Sequence, residues 1–136
     1  MEFLGVTVLT VLKMLVAAFT GILFTQSGLD KIFDYAGNLQ YLREHFKKSI
    51  LAGTADLLLP TITLLEVTAG FVSLLGLAML LFGNELPAFY GLLLSAISLI
   101  CLFTGQRVVK DYAGAAALVP YFLLVAFGIF LYVGRV

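Results

Sequence analysis

Glu66 sits in the run TITLLEVTAGF, an acid with hydrocarbon side chains before and after it. A charge near the centre of a lone membrane helix costs about 2.5–3.5 kcal/mol on insertion scales. Such a residue needs a cation, a hydrogen-bond donor or a proton. Two chemistries fit: polar glue between helices, or a carboxylate that carries a proton or grips a ligand. Two further polar clusters raise the same question. FTQSGLDK offers Gln26, Asp30 and Lys31 at the end of an apolar run whose only charge, from Phe3 to Phe24, is Lys13. GQRVVKDY offers Arg107, Lys110, Asp111 and Tyr112. The charges of these two clusters nearly cancel, so they can pair. They read either as a salt-bridged bundle end or as a site for a lipid headgroup or a quinone ring.

The chain around these residues is built for lipid. It has 136 residues, 62% of them hydrophobic and 12% charged, whereas a soluble domain is about half apolar and a quarter charged. A fold this small has too much surface to hide that excess in one core. Formal net charge is zero, which gives no reason to expect nucleic acid as a partner. A bilayer core of about 30 Å takes about 20 apolar residues in a helix. Spans are predicted at about 3–29, 57–82, 87–103 and 112–133, the first read as a retained signal-anchor helix. Barrel strands would alternate in polarity, and these runs do not. Asn84 and Asp111 are cap candidates, Pro87 suits a first helical turn, and Pro120 should bend the last span. Between the first two spans, Leu39, Leu42, Phe46 and Ile50 recur at helical spacing. That pattern predicts a short amphipathic helix over 38–50, lying on lipid or on its own protein. The expected fold is an all-α membrane protein, one four-helix transmembrane domain over 1–136 with that helix between spans one and two.

Alternating spans put the 30–56 and 104–111 connections on one face of the membrane. That face holds Lys31, Arg43, Lys47, Lys48, Arg107 and Lys110, against Arg135 on the other. The excess of cations in short loops predicts a cytoplasmic position for it, with both termini periplasmic. Glu66 then lies about 9–13 Å below that face, and Gln26 and Tyr121 fall at similar depths at 1.5 Å per residue. Lys31 or Arg107 could reach inward to Glu66. Lys13, about 10 Å further down by the same rise, either stretches to Glu66 or snorkels to the opposite face.

Gly28, Gly70, Gly76 and Gly114, with the alanines after Gly114, mark places where helix backbones can meet. His45 reads as a solvated surface residue and Cys101 as a small packing side chain. Cys101 is the only cysteine, so no internal disulfide forms. No HExxH, CxxC, phosphate loop or Ser/His/Asp set is present, and no metal site is expected.

Taken together, FTQSGLDKIFDY, LPTITLLEVTAGFVSLLGL and DYAGAAALVPYFLL resemble, in order and over nearly the whole chain, the spans of the DoxX family. The resemblance implies four membrane helices in a bacterial inner membrane and singles out Gly28, Lys31, Glu66, Gly70 and Gly76. It also implies association with membrane oxidoreductase or thiol-stress assemblies. The expected function is a DoxX-like accessory subunit of a larger respiratory or redox-linked assembly, without catalytic activity of its own. Its partners would be membrane lipids and other integral membrane subunits; no cofactor is expected, and the polar rim would either hold a quinone or lipid or simply lock the bundle. The alternative is a small transporter, or a proton-, lipid- or quinone-binding protein, that uses Glu66.

Overall fold

The structure, a computed structural model, describes residues 2, 3 and 6–134. Arg135, the cation counted for the periplasmic side, lies outside the described residues. Glu2–Phe3 (β1) and Val6–Thr7 (β2) form a two-residue antiparallel ladder. Five helices follow: α1 (Val8–Phe33), α2 (Tyr35–Phe46), α3 (Ala55–Leu80), α4 (Leu86–Val108) and α5 (Tyr112–Phe130). Four of these, all but α2, are long and apolar enough to cross a membrane. The chain is a multi-pass integral membrane protein with an all-helical bundle.

The ends of the helices differ from expectation for local reasons. α1 begins at Val8 rather than Phe3 because Thr7 caps it, its hydroxyl accepting from the Thr10 amide at 3.1 Å. It runs one turn past Leu29, and Asp34 then breaks the backbone and starts α2 directly. The amide of Asn38 donates to the Asp34 carbonyl at 2.9 Å across that corner. α2 therefore sits earlier than 38–50, and Ile50 falls in the exposed turn beyond it. α4 continues through the polar stretch Gly105–Val108, so much of the predicted loop is helix. Asp111 caps α5 as expected, accepting from the Gly114 amide at 2.9 Å. α5 runs on through Pro120.

The bundle is ordered α1, α3, α4, α5, each packed on the next, with a lighter α1–α5 contact. Glycines let the first three touch at the backbone. A Cβ on Gly28 would lie 2.5 Å from Val67 Cγ2, one on Gly70 would meet the backbone of Thr25, and one on Gly76 the backbone of Ala88. The register is regular, 21 against 74, 25 against 70 and 28 against 67 along the antiparallel α1–α3 pair. Polarity is turned inside out. Lys13, Thr20, Glu66, Ser73, Ser95 and Ser98 are buried, while Leu64, Phe71, Leu123 and Phe127 face outward. Thr20, Thr63, Ser95 and Ser98 donate their hydroxyls to the carbonyl four residues back, which satisfies them without water.

Gly70→Ala and Gly76→Ala are expected to destabilise the bundle by about 1–3 kcal/mol, the cost of overpacking a tight contact. Gly105→Ala, whose added Cβ meets nothing within 4 Å, should leave unfolding in mixed micelles unchanged or slightly delayed.

Candidate functional site

The close approach of α1 to α3 decides what happens to Glu66. Lys31, in the last turn of α1, is carried to within 3.2 Å of Glu66 Oε1 and donates to Oε2 at 3.3 Å. It also donates to Ser27 Oγ at 3.1 Å. Glu66 is fully buried and Lys31 retains 18% side-chain exposure, so the lysine bridges the interior and the rim. The contact to Oε1 is an ion pair without hydrogen-bond geometry, which leaves that oxygen a spare acceptor.

Lys13 turns the other way. Its ammonium lies 2.8 Å from Glu85 Oε1, in the turn before α4, and 4.6 Å from the centre of the Tyr132 ring. Of the two routes open to it, Lys13 takes the one to the face opposite Lys31. Burial and the charge of Glu85 push the Tyr132 phenol up to about 12. Lys13, Glu85 and Tyr132 tie α1, the α3–α4 turn and the turn after α5 together at that face. Glu85 drew no notice in the sequence because it sits in a turn, where an acid is ordinary.

At the Lys31 end, α2 folds over the bundle and is fastened by His45. His45 Nε2 lies 2.8 Å from Gln106 Oε1 and 3.4 Å from Asp111 Oδ2, and its ring stacks on Tyr41 at 5.2 Å. His45 is thus a partly buried latch, not a solvated surface residue. Beneath it α2, α3 and α4 enclose a groove of about 180 Å³. Leu42, Phe46, Leu58, Ile62, Leu65 and Leu102 form its apolar body, and Tyr41, His45 and Gln106 its polar end. Cys101 lines the groove and is exposed, so it is not the interior packing residue expected. On the outer rim of α2, Lys47 pairs with Glu44 at 2.8 Å and holds its carboxyl below the usual carboxylate range.

The two clusters, whose charges could pair, are joined by no ion pair among the described residues. Lys31 and Glu66 meet on α1 and α3. Asp111 joins His45 and Gln106, while Arg107 stacks over the Tyr112 ring at 4.4 Å. Gln26 is exposed and joins neither group, because it lies on the side of α1 turned away from α3. The Asp30 side chain is also exposed, although its carbonyl accepts from the Asp34 amide at 3.0 Å. Tyr121 packs against Phe19, ring centres 6.4 Å apart, on the outer surface rather than near Glu66. Lys110 occupies the α4–α5 turn with φ +63. Gly114 lies against the Asp111 cap and Gln106. Among the described residues no three His, Cys, Asp or Glu side chains converge as metal ligands do.

Comparison with known proteins finds no matching family model, no matching curated protein and no matching solved structure. The geometry alone therefore bears on function.

Lys31→Met strands the Glu66 charge in the interior and is expected to cost about 3–5 kcal/mol. Glu66→Leu should cost less, since Lys31 keeps access to the rim. Lys31→Met combined with Glu66→Leu should recover most of the loss in a double-mutant cycle of unfolding. Costs that simply add would show that the two side chains are not partners.

Proposed function

We propose that the chain is a DoxX-like accessory subunit of a bacterial inner-membrane assembly linked to respiration or redox chemistry. Its task is to hold a neutral amphiphile, a quinone or a lipid, in the groove roofed by α2. The observation that carries this reading is the division of that groove into a hydrocarbon body and one polar end. Such a shape suits a molecule with an apolar tail and a small head that accepts hydrogen bonds. With Gln106 Oε1 taken by His45, the Gln106 amide N–H groups are the natural donors to a ring carbonyl or an ester. Tyr41 and His45 present stacked rings beside them.

The excess of cations beside α2 and the α4–α5 turn supports a cytoplasmic position for the groove mouth and a periplasmic one for both termini. A catalytic role finds no support in the geometry: Glu66 is held by Lys31, and His45 is held by Gln106 and Asp111. The transporter alternative would require Glu66 to leave Lys31 and meet water. Glu66 has no exposed surface and sits at ion-pair distance from that lysine, so the groove is the better basis for a function.

Gentle purification from native membrane, followed by mass spectrometry of proteins and lipid extract, tests the proposal. A quinone or lipid should arrive with the chain, together with other membrane subunits. Leu102→Trp, which fills the groove, and His45→Ala, which unlatches α2, should each reduce the small molecule about tenfold or more. Glu66→Gln should retain it. A chain that arrives alone and empty would end the accessory-subunit reading.

A further inference from the structure

We propose that a second groove, on the outer side between α4 and α5, binds an anionic phospholipid, with its phosphate on Arg107 and Lys110 and an acyl chain below. This groove is separate from the one under α2, and the inference stands without the function proposed above. Its volume is about 210 Å³, and it is lined by Leu99, Ile100, Phe103, Leu118, Val119 and Phe122, all hydrocarbon. Ile100, Phe103 and Arg107 follow one another at helical i, i+3, i+7 spacing on α4, and Tyr112 and Val119 at i, i+7 on α5. One stripe of each helix thus leads from the groove to the Arg107–Tyr112 pair, about 10 Å toward the turn at 1.5 Å per residue.

The mouth is cationic and its cations are uncommitted to acids. Among the described residues, no ion pair involves Arg107 or Lys110. The carboxylate next to them in sequence, Asp111, is occupied: Oδ1 accepts from the Gly114 amide and Oδ2 faces His45 at 3.4 Å. Arg107 lays the face of its guanidinium on Tyr112 at 4.4 Å, which leaves the N–H edge free. That edge is a fork of donors matched to phosphate oxygens.

Lys110 adds a second sign. The Asp111 amide donates to the Gln106 carbonyl at 2.9 Å and the Lys110 amide to the Arg107 carbonyl at 3.1 Å. That bond pair closes a helix with a left-handed residue at Lys110, a place where glycine is usual. A lysine is held there against its backbone preference. An anionic headgroup would gain from both cations, whereas a zwitterionic one brings its own ammonium against them. Cytoplasmic leaflets rich in anionic lipid attract such juxtamembrane cations.

The full-length chain, titrated in micelles with phosphatidylglycerol or phosphatidylcholine and read by native mass spectrometry and melting temperature, tests the site. The native chain should hold phosphatidylglycerol about tenfold more tightly than phosphatidylcholine. Arg107→Gln with Lys110→Gln should abolish that preference. Lys110→Gly should weaken phosphatidylglycerol binding while the lipid-free melting temperature stays level or rises, which separates lost binding from lost fold. Val119→Trp, at a surface position 44% exposed, should fill the groove and weaken both lipids. Lys48→Gln, removing an exposed cation beyond the end of α2, should change nothing. No preference in the native chain, a preference that survives the double substitution, or one that Lys48→Gln removes as fully, would overturn the proposal.

Discussion

The fate of the buried carboxylate depends on how closely α1 can lie on α3. Lipid offers no water to satisfy a charge, so a buried carboxylate must find its cation within the protein. Gly28 and Gly70 remove the side chains that would hold the two helices apart, and dispersion between the backbones then holds them together. Only at that separation does the last turn of α1 bring Lys31 onto Glu66. A wrong register would leave the Glu66 charge unpaired among hydrocarbon groups, which is costly.

The same logic repeats at the other end with different parts. Lys13 finds Glu85 and the ring of Tyr132, so among the described residues each end of the bundle carries a lysine–glutamate pair that spans two segments of chain. Between the ends, the hydroxyls of Thr20, Thr63, Ser95 and Ser98 turn back on their own helices, while those of Thr25 and Ser73 are buried without a hydrogen-bond partner. The middle is sealed, and the features that could hold another molecule lie at the edges. α2 and α5 make the lighter contacts, and each borders a groove.

The sequence revealed the spans because hydropathy and length are strong signals that need no partner. The helix ends were less legible, since capping by Thr7 and the helical course of Gly105–Val108 depend on single bonds and polar residues that also suit loops. For Glu66, composition fixed the need for a partner and left Lys31 as one of several candidates. The choice between Lys31, Arg107 and Lys13 is made by helix rotation, which hydropathy does not encode when a span is apolar on every side. Rotation is also why Gln26 and Tyr121, correct in depth, point outward. The setting of His45 is illegible in the sequence for a related reason: its partners Gln106 and Asp111 are about sixty residues away, and only the folding of α2 onto the bundle joins them.

The most direct measurement is a solid-state NMR distance in lipid between lysine labelled with 15N at Nζ and glutamate labelled with 13C at Cδ. A Lys31–Glu66 coupling corresponding to about 4 Å, the limit of an ion pair, is predicted, and it should vanish in Lys31→Met while the Lys13–Glu85 coupling remains. A Glu66 carboxylate with no coupling to Lys31 would contradict the account of how α1 and α3 meet.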